Sequence, residues 1–189
     1  MALTDLEIAN QALVRLGAST IESFVENTAE AKTASIFLEP ITKMLLSAHP
    51  WGFATAQSTL VEAETDPIAD YSYAFDLPAD FLRVISAGTG IKGRGLDYRV
   101  YQKTLHTNYE DVVLTYIFQP NYEDFPPFFD QLIVARLAAE LCIPITESTT
   151  RTKTLFEMAE QELRQAKLID AQQDTPISVQ DFALINARD

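Results

Sequence analysis

Few residues of this chain could carry chemistry. Its two histidines, His49 and His106, lie far apart in segments of different character. Neither has an H-x-x-x-H partner or a Cys/His spacing, so the converging N and S donors of a zinc site are missing. No serine occupies the G-x-S-x-G turn of a hydrolase. "GTGIKG", Gly88 to Gly93, matches the dinucleotide pattern letter for letter. That pattern works only where the glycines open a helix whose N-terminus holds the pyrophosphate. Strand-like "RGLDYRVYQ" follows instead, so the stretch reads as a hairpin loop. Among 27 Asp and Glu residues, carboxylate pairs at glycosidase spacing arise by chance, and none stands out. We therefore assign no catalytic residue, no cofactor and no metal.

The most distinctive stretch is "AHPWGFATA", residues 48 to 56, which sets a histidine, a proline, the only tryptophan and a phenylalanine within five positions. His49 lies at an expected helix C-terminus, where the dipole favours imidazolium. Pro50 stops the helix, Gly52 allows a turn, and Trp51 and Phe53 supply packing area. These residues read as a structural joint between two parts of the chain. Arg136 and Glu140, four apart on an apolar helix, form either an intrahelical ion pair or a contact between subunits. The single cysteine, Cys142, lies in "LIVARLAAELCIPI" and is expected to be buried and inert.

These residues must be positioned by regular elements. "TDLE" is a capping box on Thr4 and Glu7, followed by Ile8, Ala12, Leu13 and Leu16 at helical spacing, with Gly17 as the stop. "NTAE", Asn27 to Glu30, reads as a second box, with Ala34, Phe37, Leu38, Ile41 and Leu45 on one face. Pro40 is expected to kink this helix or mark the approach of another element. From residue 58 to 120 the period shortens. "YSYAFDL", "FLRVISA", "LDYRVYQ" and "DVVLTYIF" predict four to six short antiparallel strands in a small sheet or barrel. Helical spacing then returns in "FFDQLIVARLAAELCI", ended by Pro144. The next helix, "STTRTKTLFEMAEQELRQAKLID", carries Leu155, Ala159, Leu163, Ala166 and Ile169 as its stripe. The fold expected is α+β: a four-helix bundle (1–57 and 121–170) interrupted by a small antiparallel β-rich insertion (58–120), with an extended C-terminal tail (171–189). In that tail Pro176 turns the chain away from the bundle, and Ile177, Val179, Phe182, Leu184 and Ile185 are apolar without a partner pattern. They fold back on their own subunit or order on a neighbouring molecule.

A composition of 47% hydrophobic residues supports a real core. Lys and Arg number 14, and the formal net charge is −13. Clustered cations are what hold a phosphate backbone, so tight DNA binding is not expected. The nearest approach to a basic cluster is Lys92, Arg94, Arg99 and Lys103. The opening "MALTDLEIANQ" lacks the features of a signal peptide. Arg136 and Glu140 interrupt the most apolar segment, so no membrane span is expected. A soluble protein made in a reducing cytoplasm is the expectation.

Four motifs, in order, resemble one family. "LLSAHPWGFATA" is similar to the His-Pro-Trp-x-Phe-Ala helix end of tail tubular protein A, the head–tail adaptors of short-tailed bacteriophages. "YSYAFDLPADFLRVISAG" resembles the stretch that follows it. "VVLTYIFQPNYEDFPPFFDQLIVARLAAELCIPITES" resembles the family's strand, Phe-rich loop and Ala/Leu-rich helix. "LRQAKLIDAQQDTP" resembles its last helix and exit, while "DFALINARD" matches only loosely. The resemblance covers about Leu6 to Asp174. It implies a homo-oligomeric ring of twelve subunits below the portal protein, in the virion at the head–tail junction. Tail nozzle protein and tail fibres are its further implied partners, and DNA leaves through the channel without specific binding. A tail-associated hydrolase acting on cell-wall or surface polysaccharide is the alternative function.

Overall fold

In the computed structural model, residues 3–90 and 93–173 are described. They fold as α+β, with four helices and seven strands in the order α1, α2, β1 to β7, α3, α4. Helix α1 (Asp5–Leu16) begins at Thr4. Its hydroxyl accepts the Glu7 amide while the Glu7 carboxylate accepts the Thr4 amide, so both halves of the capping box are present. Gly17 ends the helix at φ 70°, where a Cβ would be strained. Helix α2 (Ala29–Ser47) is capped by Thr28, whose hydroxyl accepts the Ala31 amide. The cap thus falls one residue after the expected Asn27, and with Ala31 at the third helical position the second box does not form. Pro40 lies within α2 on its exposed side and does not end it.

Helix α3 (Pro127–Thr146) is apolar almost all round and occupies the centre, with α1, α2 and α4 (Thr149–Ala171) packed about it. Pro144 does not end α3, contrary to expectation. It sits in the last turn, where only the Glu140 carbonyl loses its helical donor, and the helix closes at Glu147 in the left-handed region (φ 55°). Cys142 is fully buried, as expected. On α4, Leu155, Ala159, Leu163 and Ala166 face the core as predicted, but Ile169 is exposed and Asp170 takes the next buried place. A step of four from Ala166 reaches Asp170, so the helical period itself explains the correction.

The strands number seven among the described residues rather than four to six. A three-stranded sheet has the order β1 (Thr55–Thr59), β7 (Val113–Phe118), β4 (Phe81–Gly88). A four-stranded sheet has the order β2 (Val61–Glu62), β3 (Tyr73–Asp76), β6 (Thr104–Thr107), β5 (Tyr98–Tyr101). All pairings are antiparallel. The glycine-rich stretch after β4 leads to β5 in the other sheet, so it is not the hairpin loop expected.

Strand alternation builds two cores from one set of strands. On β7, Leu114 and Tyr116 join the cluster of Leu60, Phe75, Leu96 and Leu105 between the sheets, while Ile117 joins the helical core. On β4 the two faces recur at a spacing of three. Phe81, Val84 and Ala87 turn to the sheet core, and Leu82 and Ile85 to the helices. Register shifts between Phe81 and Arg83 and between Val84 and Ser86 supply the extra residues. The three-stranded sheet is therefore a wall shared by both cores.

Candidate joint and interface residues

Trp51 is built into the place where the chain leaves the helices. Helix α2 ends at Ser47, and its last carbonyls have no helical donors. The Leu45 carbonyl accepts the Ala48 amide, and the Trp51 indole Nε1–H adds a second donor to it at 2.9 Å. The Trp51 carbonyl accepts the Thr55 hydroxyl at 2.7 Å, tying the corner to the first residue of β1. Between them Gly52–Ala54 form one 3-10 turn.

Trp51 is fully buried. Its ring meets Phe129 edge-on at 5.1 Å and His49 at 4.7 Å. Phe53 lies 4.9 Å from Phe129 and about as close to Phe125 and Phe128, at 6.0 and 6.1 Å. Those phenylalanines come from "NYEDFPPFF", where the chain returns from the sheets into α3. Both crossings between sheets and helices therefore share one aromatic cluster, whose offset and edge-on contacts add to the area they bury.

The third strand of chain at this point is the end of α4. Both carboxylate oxygens of buried Asp170 accept the Gly52 amide, at 3.1 and 3.2 Å. One of them lies 3.5 Å from His49 Nε2. Burial pushes the His49 pKa below its ordinary 6.5, against the pull of Asp170, with Lys167 and Arg83 also lowering it. Burial thus disfavours the imidazolium here, against the dipole expectation, because loss of solvent outweighs the attraction of the anion. Gly52 is corrected too. Its φ lies outside the left-handed region, and a Cβ there would meet Asp170 Oδ1 at an ordinary 3.6 Å. The turn does not need glycine.

The structure brings His49, Trp51 and Phe53 together, and adds Asp170, Phe125, Phe128 and Phe129, which sequence reasoning missed. The signals were present in the buried stripe of α4 and in the Phe-rich return. Pro50 is exposed beside them. Arg136 and Glu140 lie elsewhere, on α3. Their side chains pair at 2.9 Å, as the intrahelical reading has it, and Arg136 reaches across to α4. There it stands 3.8 Å from Glu160 and stacks its guanidinium on Phe156 at 4.7 Å. Ile177, Val179, Phe182, Leu184 and Ile185 lie outside the described residues.

A second buried carboxylate, Asp130, sits in the first turn of α3 with one oxygen lacking any partner among the described residues. Burial raises its pKa to about 6, against the Leu3 amide that lowers it. His106, on β6, contacts the Thr104 hydroxyl at 2.9 Å and the Tyr101 ring at 4.9 Å, remote in the fold from His49. Among the described residues no group of three or more His, Cys, Asp or Glu is placed to hold a metal ion, and no helix is long and apolar enough to cross a membrane.

The features gathered here join parts rather than concentrate reactive groups. No curated protein matches the chain at a significant level. A family model, that of the tail tubular protein, does match, and it spans residues 6–177. That span takes in α1, both sheets, the aromatic joint and all of α4, and so this chain belongs to the tail tubular protein family of phage tail components.

Proposed function

We propose that the chain is the structural head-to-tail adaptor of a phage virion. In this reading twelve copies form a ring below the portal protein, join it to the tail nozzle and line the channel through which DNA leaves. The observation that carries the proposal is the family match across residues 6–177, which runs unbroken through helices, sheets and joint. Its role is mechanical and non-enzymatic. The shared wall of β4 and β7 and the Trp51 cluster couple the helical part (1–57 and 121–170) to the β-rich part (58–120) at two places. A load on either part then passes to the other through packed side chains rather than through single peptide links.

His49, Pro50, Trp51 and Phe53 are the structural joint of this reading. The tail residues Ile177, Val179, Phe182, Leu184 and Ile185 form its subunit and portal interface, whereas Arg136 and Glu140 pair within the chain. Asp170 holds the end of α4 against that joint, so the tail leaves from a fixed point. An apolar tail without a stripe of its own gains most by ordering on a neighbour, trading chain entropy for burial. With a net charge of −13, a ring of such chains repels the passing duplex.

Antibody labelling of intact virions under the electron microscope tests the location. Label confined to the head–tail junction supports the reading; label on the capsid or at the distal tip refutes it. Truncation after Gln173 tests the tail, with a folded protein that no longer joins a portal ring as the expected result. Normal joining by the truncated chain would remove the tail from the interface.

A further inference from the structure

A hollow of about 250 Å³ lies between three helices, close to the point from which the tail departs. Its walls are Met44, Leu45 and Ala48 of α2, Leu132 of α3, and Ala159 and Leu163 of α4. Arg136 and Glu160, paired at 3.8 Å, complete the lining. Leu45, Leu132 and Ala159 are buried, whereas Met44 is 44% exposed. An apolar surface of this kind gains by covering with another apolar group.

The end of α4 decides what can reach it. Ala48 precedes His49, which stands 3.5 Å from Asp170, and α4 closes one residue later at Ala171. From Gln173 back to Leu163 is about 15 Å along the helix, at a rise of about 1.5 Å per residue. A chain that reverses at Pro176 and returns extended, at about 3.3 Å per residue, covers that distance in roughly five residues. This brings Phe182 opposite Leu163. A cavity of about 150 Å³ is enough for a benzene ring, so the phenyl group fits. Another hollow along α4 contains Arg15, Arg151, Met158 and Glu162. It lies nearer the start of the helix and is more charged, so it suits an apolar tail less well on both counts.

We infer that, before assembly, the tail runs back along α4 and seats Phe182 in the hollow between α2, α3 and α4 of its own subunit. Tethering selects this occupant. A segment joined to its acceptor by a short linker acts at an effective concentration of the order of millimolar, so a contact too weak to form between dilute molecules is made within one. The inference rests on the adaptor reading in taking the tail as an assembly segment, and it adds where that segment is sheltered until the portal draws it out.

Methyl resonances of methionine test it. The chain has three methionines: Met1, Met44, which lines this hollow, and Met158, which lines the other. Met44→Leu and Met158→Leu assign the signals. Truncation after Gln173 should shift the Met44 methyl signal and leave that of Met158 in place, with circular dichroism checking the fold. Phe182→Ala in the full chain should move Met44 to the same position, and this comparison decides alone if the truncated chain does not fold. A synthetic peptide of residues 174–189, added to the truncated chain at millimolar concentration, should return Met44 towards its full-chain position. The same peptide with Phe182→Ala should bind at least about tenfold more weakly, because a buried phenyl group is worth that much. A Met44 signal that ignores Phe182→Ala overturns the proposal, as does truncation that moves Met158 instead. A full-chain Met44 position that follows protein concentration overturns it too, since a neighbour's tail then fills the hollow. Joining to a portal ring is scored separately. A chain that joins while its Met44 ignores the tail loses only the docking. A chain whose Met44 responds but which never joins loses the adaptor role and keeps the docking.

Discussion

Replacing Trp51 with alanine should cost about 3–5 kcal/mol of folding stability, the range for large aromatic deletions in well-packed cores. The figure follows from what the side chain does. A fully buried indole removes up to about 250 Å² from water, worth on the order of 6 kcal/mol at 25 cal/mol per Å² as an upper bound. Some of that returns as Phe53, Phe128 and Phe129 relax into the space. Loss of the bond from Nε1–H to the Leu45 carbonyl adds roughly 1 kcal/mol. Trp51→Phe separates the two effects, keeping most of the apolar contact but not the donor, and should cost only about 1–2 kcal/mol. Urea unfolding followed by far-ultraviolet circular dichroism is the assay, because either substitution removes the only tryptophan fluorophore. A Trp51→Ala loss below about 1 kcal/mol, with intact folding but failed assembly, would refute the reasoning and make Trp51 a docking residue.

Asp170→Ala should destabilise by about 1–3 kcal/mol by leaving the Gly52 amide without its charged acceptor, measured by the same denaturation. An unchanged midpoint would show the contact to be incidental. His49 has a folded pKa below its ordinary 6.5, so its contribution is present above that value and lost as pH falls through the folded pKa. Stability of the wild type relative to His49→Gln should therefore decline as pH is lowered from about 7 towards 5, and a flat difference would remove His49 as the cause. Asp130 has the opposite sign. With its pKa raised from 3.8 to about 6, its contribution is fully present below 3.8 and lost as pH rises through 6. Asp130→Asn should stabilise by about 2–3 kcal/mol at pH 7 and by almost nothing near pH 3.5, read from unfolding midpoints at both values. Destabilisation at pH 7 would mean that the buried carboxylate is neutralised by a partner.

Much of the fold can be read from local chemistry. Thr4, Glu7 and Gly17 bracket α1 because caps are satisfied by neighbours in sequence. The continuous apolar run of α3 identified the central helix, and the switch of period located the sheets. Three strands escaped notice: "TAQST" and "VE" are polar, short edge strands held by register with β7 and β3, and "TLHT" is a four-residue inner strand held by its pairing with β3 and β5, none of them marked by a long alternation of its own. Pro144 misled because the usual penalty assumes a helix that continues well beyond it. The joint was half legible. Trp51 stood out by type and position, but its partners arrive from residues 125–129 and 170, and only tertiary packing brings such distant segments together. His49 titrates opposite to the dipole argument for the same reason, since burial is set by the whole fold.

The central claim, a tail structural protein that works by joining rings, is tested most directly by one mass. The full chain is mixed with an assembled portal ring, and the mass of the resulting particle is compared with those of the portal and the chain alone. The account predicts a discrete complex heavier than the portal by a fixed whole number of chains, equal to twelve for the proposed stoichiometry. A portal mass that does not change at any ratio of chain to portal would contradict it.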